Sequence, residues 1–93
     1  MDKLSHAEIE TRLAKIKGWQ REGDAITRTF TLAGFPAALL FASAVGQLAE
    51  RQNHHPDILI KYRDVTLTLS THDAGGLTIK DFELAGDINA IAA

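Results

Sequence analysis

The chain has 93 residues, a formal net charge of -2 at pH 7 and no cysteine. This length suits a single domain, residues 1–93, whose small core is only marginally stable alone, so a partner subunit is expected. The charge and the absence of a Lys/Arg run argue against nucleic-acid binding, which needs positive side chains for phosphate. Without cysteine there are no disulfides or thiolate zinc sites. The N-terminal residues lack the apolar core of a signal peptide, so a cytoplasmic location is expected.

Residues 5–17 carry the start and stop signals of a helix. Ser5 can cap the first turn, and Glu8 stands three positions later, where it completes a capping box. Gly18 is a common helix stop. The apolar residues between these signals recur at helical spacing, which predicts that one face packs on a sheet or another helix.

Two strands, residues 19–22 and 25–32, follow around a tight turn at residues 23–24. In the second strand apolar residues alternate with threonines, the pattern of a sheet that is covered on one side only. Trp19 has two interpretations. It is either a core aromatic, which is what large aromatics mostly are, or the wall of a pocket for a flat ligand.

The second helix opens at Gly34-Phe35-Pro36, with proline in the first turn, and runs to about residue 52. Its first three turns are apolar nearly all round, so one face should pack on the sheet while another is hidden elsewhere. The apolar run is shorter than the roughly 20 residues that a bilayer requires, which argues against a membrane span. Burial against a second copy of the helix is expected.

A second hairpin joins strands at residues 58–62 and 65–71 through a turn at residues 63–64. A last helix begins at Thr78, where Asp81 stands three residues on as in a capping box. The element order is therefore αββαββα. Two hairpins and three helices without a parallel crossover predict an α+β domain, a four-stranded antiparallel sheet with three helices on one face.

Three of the four histidines flank the second hairpin. His54 and His55 precede it and His72 follows it, so a tight hairpin should bring the three imidazoles together. Pro56 restricts His55 to an extended conformation. Glu50 stands one helical turn before His54 and supplies a nearby carboxylate. A bland alternative, in which one histidine closes the helix end and the other is a surface residue, is weakened by this convergence.

Two kinds of chemistry fit such a cluster. A metal site could use the three histidines with Asp73 or Asp81, although no histidine spacing typical of ligands on one helical face is present. Acid–base catalysis needs only a donor and an acceptor on either side of a substrate atom. Imidazole, with an ordinary pKa of about 6.5, can serve as both without a cofactor.

Several short segments of the sequence together form a recognisable pattern. They are Gly18-Trp19, Glu50-x-x-x-His54-His55-Pro56, Tyr62-x-x-Val65, Leu69-Ser70-Thr71-His72-Asp73, Gly76-Leu77-Thr78 and Asp81-x-x-Leu84-Ala85. His-His-Pro followed by Thr-His at this distance is specific, although either alone would be weak. In these segments the chain resembles the pterin-4a-carbinolamine dehydratase family over nearly its whole length.

The resemblance implies dehydration of 4a-hydroxytetrahydropterin to quinonoid dihydropterin and water, a step of tetrahydrobiopterin recycling, with no metal or organic cofactor. By position, His54 and His72 correspond to the acid–base residues, and Glu50 is a carboxylate that could orient an imidazole. His55 corresponds to a substrate-binding residue. The other residues expected at or beside the pterin are Trp19, Pro56, Thr71, Asp73 and Asp81.

The family's assemblies imply a homodimer or homotetramer. Two positions depart from some members: Asn53 stands in place of Asp, and Ile58 in place of Trp, so pterin affinity is expected to differ more than the reaction. An interpretation from another class is a non-catalytic interaction module that docks a partner through its apolar second helix. Turnover of the carbinolamine separates the two hypotheses.

Overall fold

The computed structural model describes residues 2–92. Its helices are α1 (His6–Leu13), α2 (Phe35–Gln52) and α3 (Ile79–Ala92), and its strands are β1 (Gln20–Glu22), β2 (Ala25–Thr31), β3 (Asp57–Lys61) and β4 (Asp64–Leu69). A short 3₁₀ helix, His72–Ala74, lies between β4 and α3 and was not predicted. The predicted order αββαββα is confirmed.

The strands form one antiparallel sheet in the order β1-β2-β4-β3. The central strands β2 and β4 pair from Ile26 opposite Leu69 to Thr31 opposite Asp64. Alternate residues of both strands are buried on the helix side, whereas threonines occupy the other side. The α+β class, with helices on one face of the sheet, is therefore confirmed. The core between the layers includes Ile26, Phe30, Val45, Val65, Leu67, Leu69, Leu84 and Ile88.

The start of α1 has the predicted capping box. Ser5 Oγ accepts from the Glu8 N–H at 3.2 Å, and Glu8 Oε1 accepts from the Ser5 N–H at 2.9 Å. The helix ends at Leu13, four residues before the predicted end at residue 17. The reason is local: the N–H groups of Lys15 and Ile16 donate to carbonyls three residues back, so the last turns tighten and leave the α-helical pattern.

Helix α2 buries one face against the sheet and leaves apolar side chains on another. The buried residues are Ala38, Phe41, Val45 and Ala49. The exposed ones include Phe35, Leu39 and Leu40, the last at 73% exposure. In residues 2–92 no helix combines the length and apolar character that crossing a membrane would require.

The end of α2 sets the position of the adjacent histidines. The helix ends at Gln52, and Asn53 then adopts the left-handed conformation with φ 50° and ψ 44°. The Asn53 and His54 N–H groups donate to carbonyls of the last turn, which closes the helix. His54 and His55 therefore lie in the irregular segment between α2 and β3.

The tight turn between β3 and β4 lies at Tyr62 and Arg63, one residue earlier than the predicted turn at residues 63–64. Lys61 pairs with Asp64, so Asp64 belongs to β4. Tyr62 has a positive φ of 53°. The prediction was wrong by one residue. It placed Asp64 in the turn because aspartate has a low strand propensity, whereas the hydrogen-bonded pairing of β3 with β4 extends through Asp64.

Strand β4 ends at Leu69, two residues before the predicted end at residue 71. Thr71 instead forms an isolated bridge with Gly76. This bridge closes a short loop that contains the 3₁₀ helix. As a consequence, Thr71 and His72 are held next to the start of α3.

Candidate active site

The three histidines that flank the second hairpin line one cavity of about 290 Å³. The antiparallel pairing of β3 with β4 explains the convergence, because Asp57, at the start of β3, lies opposite Thr68, near the end of β4. The segment after β4 therefore returns beside the segment before β3. The lining residues are Asn53, His54, His55, Ser70, Thr71, His72, Asp73 and Lys80.

His54 is the histidine most firmly held in the cavity. Its Nε2 lies 2.5 Å from Asp81 Oδ1, and its side chain is only 10% exposed, while that of Asp81 is fully buried. A hydrogen bond between an imidazole N–H and a carboxylate fixes both the orientation of the ring and the nitrogen that carries the proton. The other ring nitrogen, Nδ1, takes no part in this bond to Asp81.

The carboxylate of Asp81 is itself fixed by donors on its second oxygen. Asp81 Oδ2 accepts from the Thr71 hydroxyl at 2.8 Å and from the Thr78 N–H at 2.9 Å. Asp81 lies in the first turn of α3, where the positive end of the helix dipole is favourable for a carboxylate. Asp81 was expected at or beside the pterin, and the structure places it fully buried, with its carboxylate bound to the His54 imidazole.

Glu50 binds a different histidine from the one that the sequence suggested. Glu50 Oε1 lies 2.9 Å from His55 Nε2, and the two side chains are 79% and 60% exposed. Because α2 ends at Gln52 and Asn53 turns the chain, the helical spacing from Glu50 to His54 does not apply. A solvent-exposed pair of this kind is weak, typically worth about 0–1 kcal/mol.

His72 and Asp73 line the cavity from the segment that follows β4. Both are exposed, and they begin the 3₁₀ helix that the bridge between Thr71 and Gly76 closes. Within residues 2–92, the ion pairs of histidines with carboxylates involve His54 and His55, and His72 forms none. The cavity thus presents one nearly buried imidazole, that of His54, and two exposed imidazoles, those of His55 and His72.

Trp19 and Pro56 do not line this cavity. Trp19 lies in the core, 5% exposed, and stands edge-on to Phe30. Its indole N–H donates to Asn89 Oδ1 at 2.8 Å, and Arg28 donates to the same oxygen at 2.8 Å. In this structure Trp19 is a core residue that ties the first hairpin to α3. Pro56 is half-buried and directs the chain from His55 into β3.

Two of the lining residues, Ser70 and Lys80, had no predicted site role, and Asn53 was expected only to change the pterin affinity. Lys80 also lines a larger adjoining groove of about 510 Å³, which shares His54 with the cavity. The sequence does contain a signal that could have pointed to Lys80. A cation in the first turn of a helix is unfavourable with the helix dipole, so a lysine just after the predicted start of α3 suggests a role outside the helix itself.

The residues described, 2–92, contain no group of three or more His, Asp or Glu side chains arranged to hold a metal ion. His54 faces Asp81 and His55 faces Glu50, so two of the three imidazoles already have a carboxylate on Nε2. What the cavity offers is several imidazole nitrogens around one small volume, which is the arrangement that proton transfer requires.

Fold and site together define a small α+β protein with a cleft lined by histidines. The model of the family described as pterin 4 alpha carbinolamine dehydratase matches residues 2–91. The chain belongs to this family. The family resemblance and the enzyme class, a hydro-lyase, that were predicted from the sequence are thereby confirmed.

Relatives of the chain match it over nearly its whole length. A relative from Roseiflexus sp. (strain RS-1) that carries the name of pterin-4-alpha-carbinolamine dehydratase is 56% identical over 89 residues, covering 96% of each chain. One of the same name from Chloroflexus aurantiacus (strain ATCC 29366 / DSM 635 / J-10-fl) is 55% identical over 91 residues, covering 98% of each chain.

Among solved structures, a transcriptional coactivator/pterin dehydratase from Brucella melitensis superposes with a TM-score of 0.94 at 35% identity, covering 99% of this chain and 100% of that one. A pterin dehydratase-like protein described as a RuBisCO assembly factor in the alpha-carboxysome superposes with a TM-score of 0.69 at 22% identity, covering 82% and 90%. The second likeness shows the fold alone.

Proposed function

We propose that the protein dehydrates 4a-hydroxytetrahydropterin to quinonoid dihydropterin and water, as a step of tetrahydrobiopterin recycling. The observation that carries the proposal is the convergence of His54, His55 and His72 on one cavity, with His54 bound to the buried Asp81. Family membership supplies the substrate class, because the relatives are named for this reaction. The cavity, at about 290 Å³, is near the lower end of the range for small-molecule sites.

The reaction requires two proton transfers. The bond between C4a and the hydroxyl oxygen breaks, the oxygen takes a proton and leaves as water, and the N5 proton departs as the double bond between N5 and C4a forms. His54 and His72 both line the cavity and come from different segments of the chain, so one can donate while the other accepts. His55 binds the pterin, and Thr71 and Asp73 add polar contacts at the wall.

No metal or organic cofactor enters this scheme, since neutral and protonated imidazoles supply both transfers. Treatment with a chelator should therefore leave the dehydration rate unchanged. A stoichiometric metal whose removal abolishes activity, and whose return restores it, would contradict the scheme.

Alanine substitutions test the proposal directly. His54→Ala and His72→Ala should each lower the dehydration rate of enzymatically generated carbinolamine by about 10- to 1,000-fold. His6→Ala is the matched control. His6 lies at the start of α1, its Nδ1 is 2.8 Å from an Arg21 guanidinium nitrogen, and it does not line the cavity. Wild-type rates in a folded double variant of His54 and His72 would refute the acid–base assignment.

A second candidate function is a non-catalytic interaction module. The observation that favours it is the exposed apolar surface of α2, where Leu40 is 73% and Phe35 48% exposed. The Brucella melitensis neighbour is described as a transcriptional coactivator/pterin dehydratase. The absence of turnover in a folded protein, together with assembly that depends on α2, would favour this second function over catalysis.

A further inference from the structure

A chain of hydrogen bonds links the start of α3 to the histidine cavity. Thr78 Oγ1 lies 2.7 Å from Thr71 Oγ1, and the Thr71 hydroxyl donates to Asp81 Oδ2 at 2.8 Å. The other carboxylate oxygen, Asp81 Oδ1, lies 2.5 Å from His54 Nε2. Thr78 and Asp81 are fully buried, so these bonds are shielded from solvent.

The direction of each bond follows from the number of protons available. A threonine hydroxyl carries one proton, and Thr71 uses its proton on Asp81. The proton between the two hydroxyls must therefore come from Thr78. The Thr78 backbone N–H also donates to Asp81 Oδ2, at 2.9 Å. The Thr71 hydroxyl and the Thr78 N–H are both donors, so Asp81 Oδ2 accepts both hydrogen bonds, as a carboxylate oxygen can.

We propose that the Thr78 hydroxyl positions the His54 imidazole through the carboxylate of Asp81, an inference that rests on the proposed proton-transfer role of His54. Because the Thr71 hydroxyl and the Thr78 backbone N–H both donate to Asp81 Oδ2, Asp81 acts as the acceptor, and the proton between this carboxylate and the imidazole belongs to Nε2. The neutral ring then has its lone pair on Nδ1. Thr78 thus acts on the tautomer of His54, and Nδ1 is the atom that exchanges a proton with the substrate.

Thr78 is the informative position because it does not line the cavity, whereas Thr71 does. A substitution at Thr71 would remove a contact with the substrate and a hydrogen bond to Asp81 at the same time, so the two effects could not be separated. A substitution at Thr78 removes only the hydroxyl that begins the series of hydrogen bonds, because its backbone N–H continues to bind Asp81. A positioning role predicts a change in the His54 ring that a merely structural role would not produce.

The test is ¹⁵N NMR of the His54 ring at a pH where the ring is neutral. The two ring nitrogens give well-separated resonances when one tautomer dominates, and the resonances approach each other when tautomers mix. The wild type should show the Nε2–H tautomer. Thr78→Val should shift the resonances toward a mixture, and Thr78→Ser, which keeps the hydroxyl, should restore the wild-type pattern.

The sheet offers a matched control. Thr29 and Thr66 form another pair of hydroxyls, 2.8 Å apart, on the side of the sheet away from the helices, and neither lines the histidine cavity. Thr66→Val removes a hydroxyl of the same kind and should leave the His54 spectrum unchanged. In the dehydration assay, Thr78→Val should lower kcat by about 3- to 10-fold with KM within about 2-fold, because the hydroxyl bond that this variant loses strengthens the bond that Thr71 donates to the Asp81 carboxylate.

Two results would overturn the inference. One is a wild-type ring with its proton on Nδ1, which would mean that Asp81 gives a proton to Nε2. The other is a folded Thr78→Val variant with the wild-type tautomer. If Thr78→Val does not fold, the tautomer is measured in the wild type and in Thr71→Val instead. Thr71→Val should show a mixture of tautomers, and a wild-type tautomer in that variant would overturn the inference.

The inference and the proposed function fail separately. The predicted tautomer shifts in a protein without dehydratase activity would leave the positioning chain intact and refute the function. A normal dehydration rate with an unaltered tautomer in Thr78→Val would refute the positioning role alone.

Discussion

The imidazole of His54 and the carboxylate of Asp81, 27 positions apart in the chain, are joined by a hydrogen bond of 2.5 Å. Asp81 is fully buried and His54 nearly so, which distinguishes this pair from the solvent-exposed pair of Glu50 and His55. The two carboxylates should therefore contribute unequally to catalysis and to stability.

Replacing Asp81 by Asn should be costly in both respects. The amide keeps the shape of the side chain but loses the charge and presents donors where the carboxylate has acceptors. We expect a loss of about 1.5–3 kcal/mol in the free energy of unfolding, the usual size for a hydrogen bond to a charged group. The dehydration rate should fall by about 10- to 1,000-fold. Denaturant unfolding and steady-state kinetics measure the two effects.

Glu50→Gln is the control for this prediction. Its partner His55 is 60% exposed, so the exchange should change the rate by less than about 3-fold and leave stability nearly unchanged. A loss at Glu50 equal to that at Asp81 would mean that Glu50 acts on the substrate in a way that the contact with His55 does not indicate.

The fold was predictable because it depends on local signals that agree with one another. The capping box of Ser5 and Glu8, the alternation in β2 and the tight turns all lie within short windows of sequence. Boundaries were less accurate, as at Leu13 and Asp64, where hydrogen bonds to neighbours decide which residue ends an element.

The contacts within the site were only partly predictable. Hairpin geometry was enough to bring His72 toward His54 and His55, because antiparallel pairing fixes which ends meet. The carboxylate partner of His54 was beyond this reasoning, since helical spacing pointed to Glu50. The left-handed Asn53 breaks that spacing, and the packing of α3 beside the end of β4 places Asp81 behind the ring instead.

Lys80 should show opposite effects on stability and activity. It lies in the first turn of α3, where a cation opposes the helix dipole, and it lines the cavity beside His54. Lys80→Gln should raise stability slightly, by about 0.3–1 kcal/mol. The loss of a cationic donor at the wall should raise KM by about 3- to 10-fold with a smaller change in kcat.

Thermal unfolding and substrate titration of the Lys80→Gln variant measure these two effects. Lys3→Gln is a suitable control, since Lys3 is exposed near the N-terminus and does not line the cavity. An unchanged KM for Lys80→Gln would remove Lys80 from the binding wall.

The capping box of α1 should make a small pH-dependent contribution to stability. Hydrogen bonds from the Ser5 backbone N–H and then from its hydroxyl hold the pKa of the Glu8 carboxyl below its ordinary value of 4.5. A lowered pKa in the folded state means that the unfolded chain binds the proton more readily. The contribution is therefore present above pH 4.5 and is lost as the pH falls through the lower folded value.

Unfolding curves of the wild type and of Glu8→Gln, recorded between about pH 7 and pH 3, test this sign. The stability difference between the two proteins should shrink as the solution becomes acidic. Glu10→Gln, on the same helix and also exposed, is the control. A difference that grows toward low pH would contradict the role of the capping box.

The last prediction concerns the exposed face of α2, which we expect to be buried between copies of the chain in a homodimer or homotetramer. Leu40 is 73% exposed, and Ala44, one turn later, is exposed on the same face. A domain of 10.1 kDa gains little from such a surface unless it is covered, and the small Ala44 would let two helices approach closely. A charge placed in such an interface should cost several kcal/mol, because a buried ion without a partner is strongly destabilising.

Light scattering on the wild type, Leu40→Glu and Ala44→Glu measures the assembly. The wild type should exceed 10.1 kDa by a whole-number factor, and both variants should dissociate. Thr29→Glu, on the exposed threonine side of the sheet, should assemble normally and controls for the added charge. A wild-type monomer at micromolar concentration would refute the prediction. Intact assembly in both α2 variants would place the interface on another surface, because two added glutamates could not be accommodated at a close helix–helix contact.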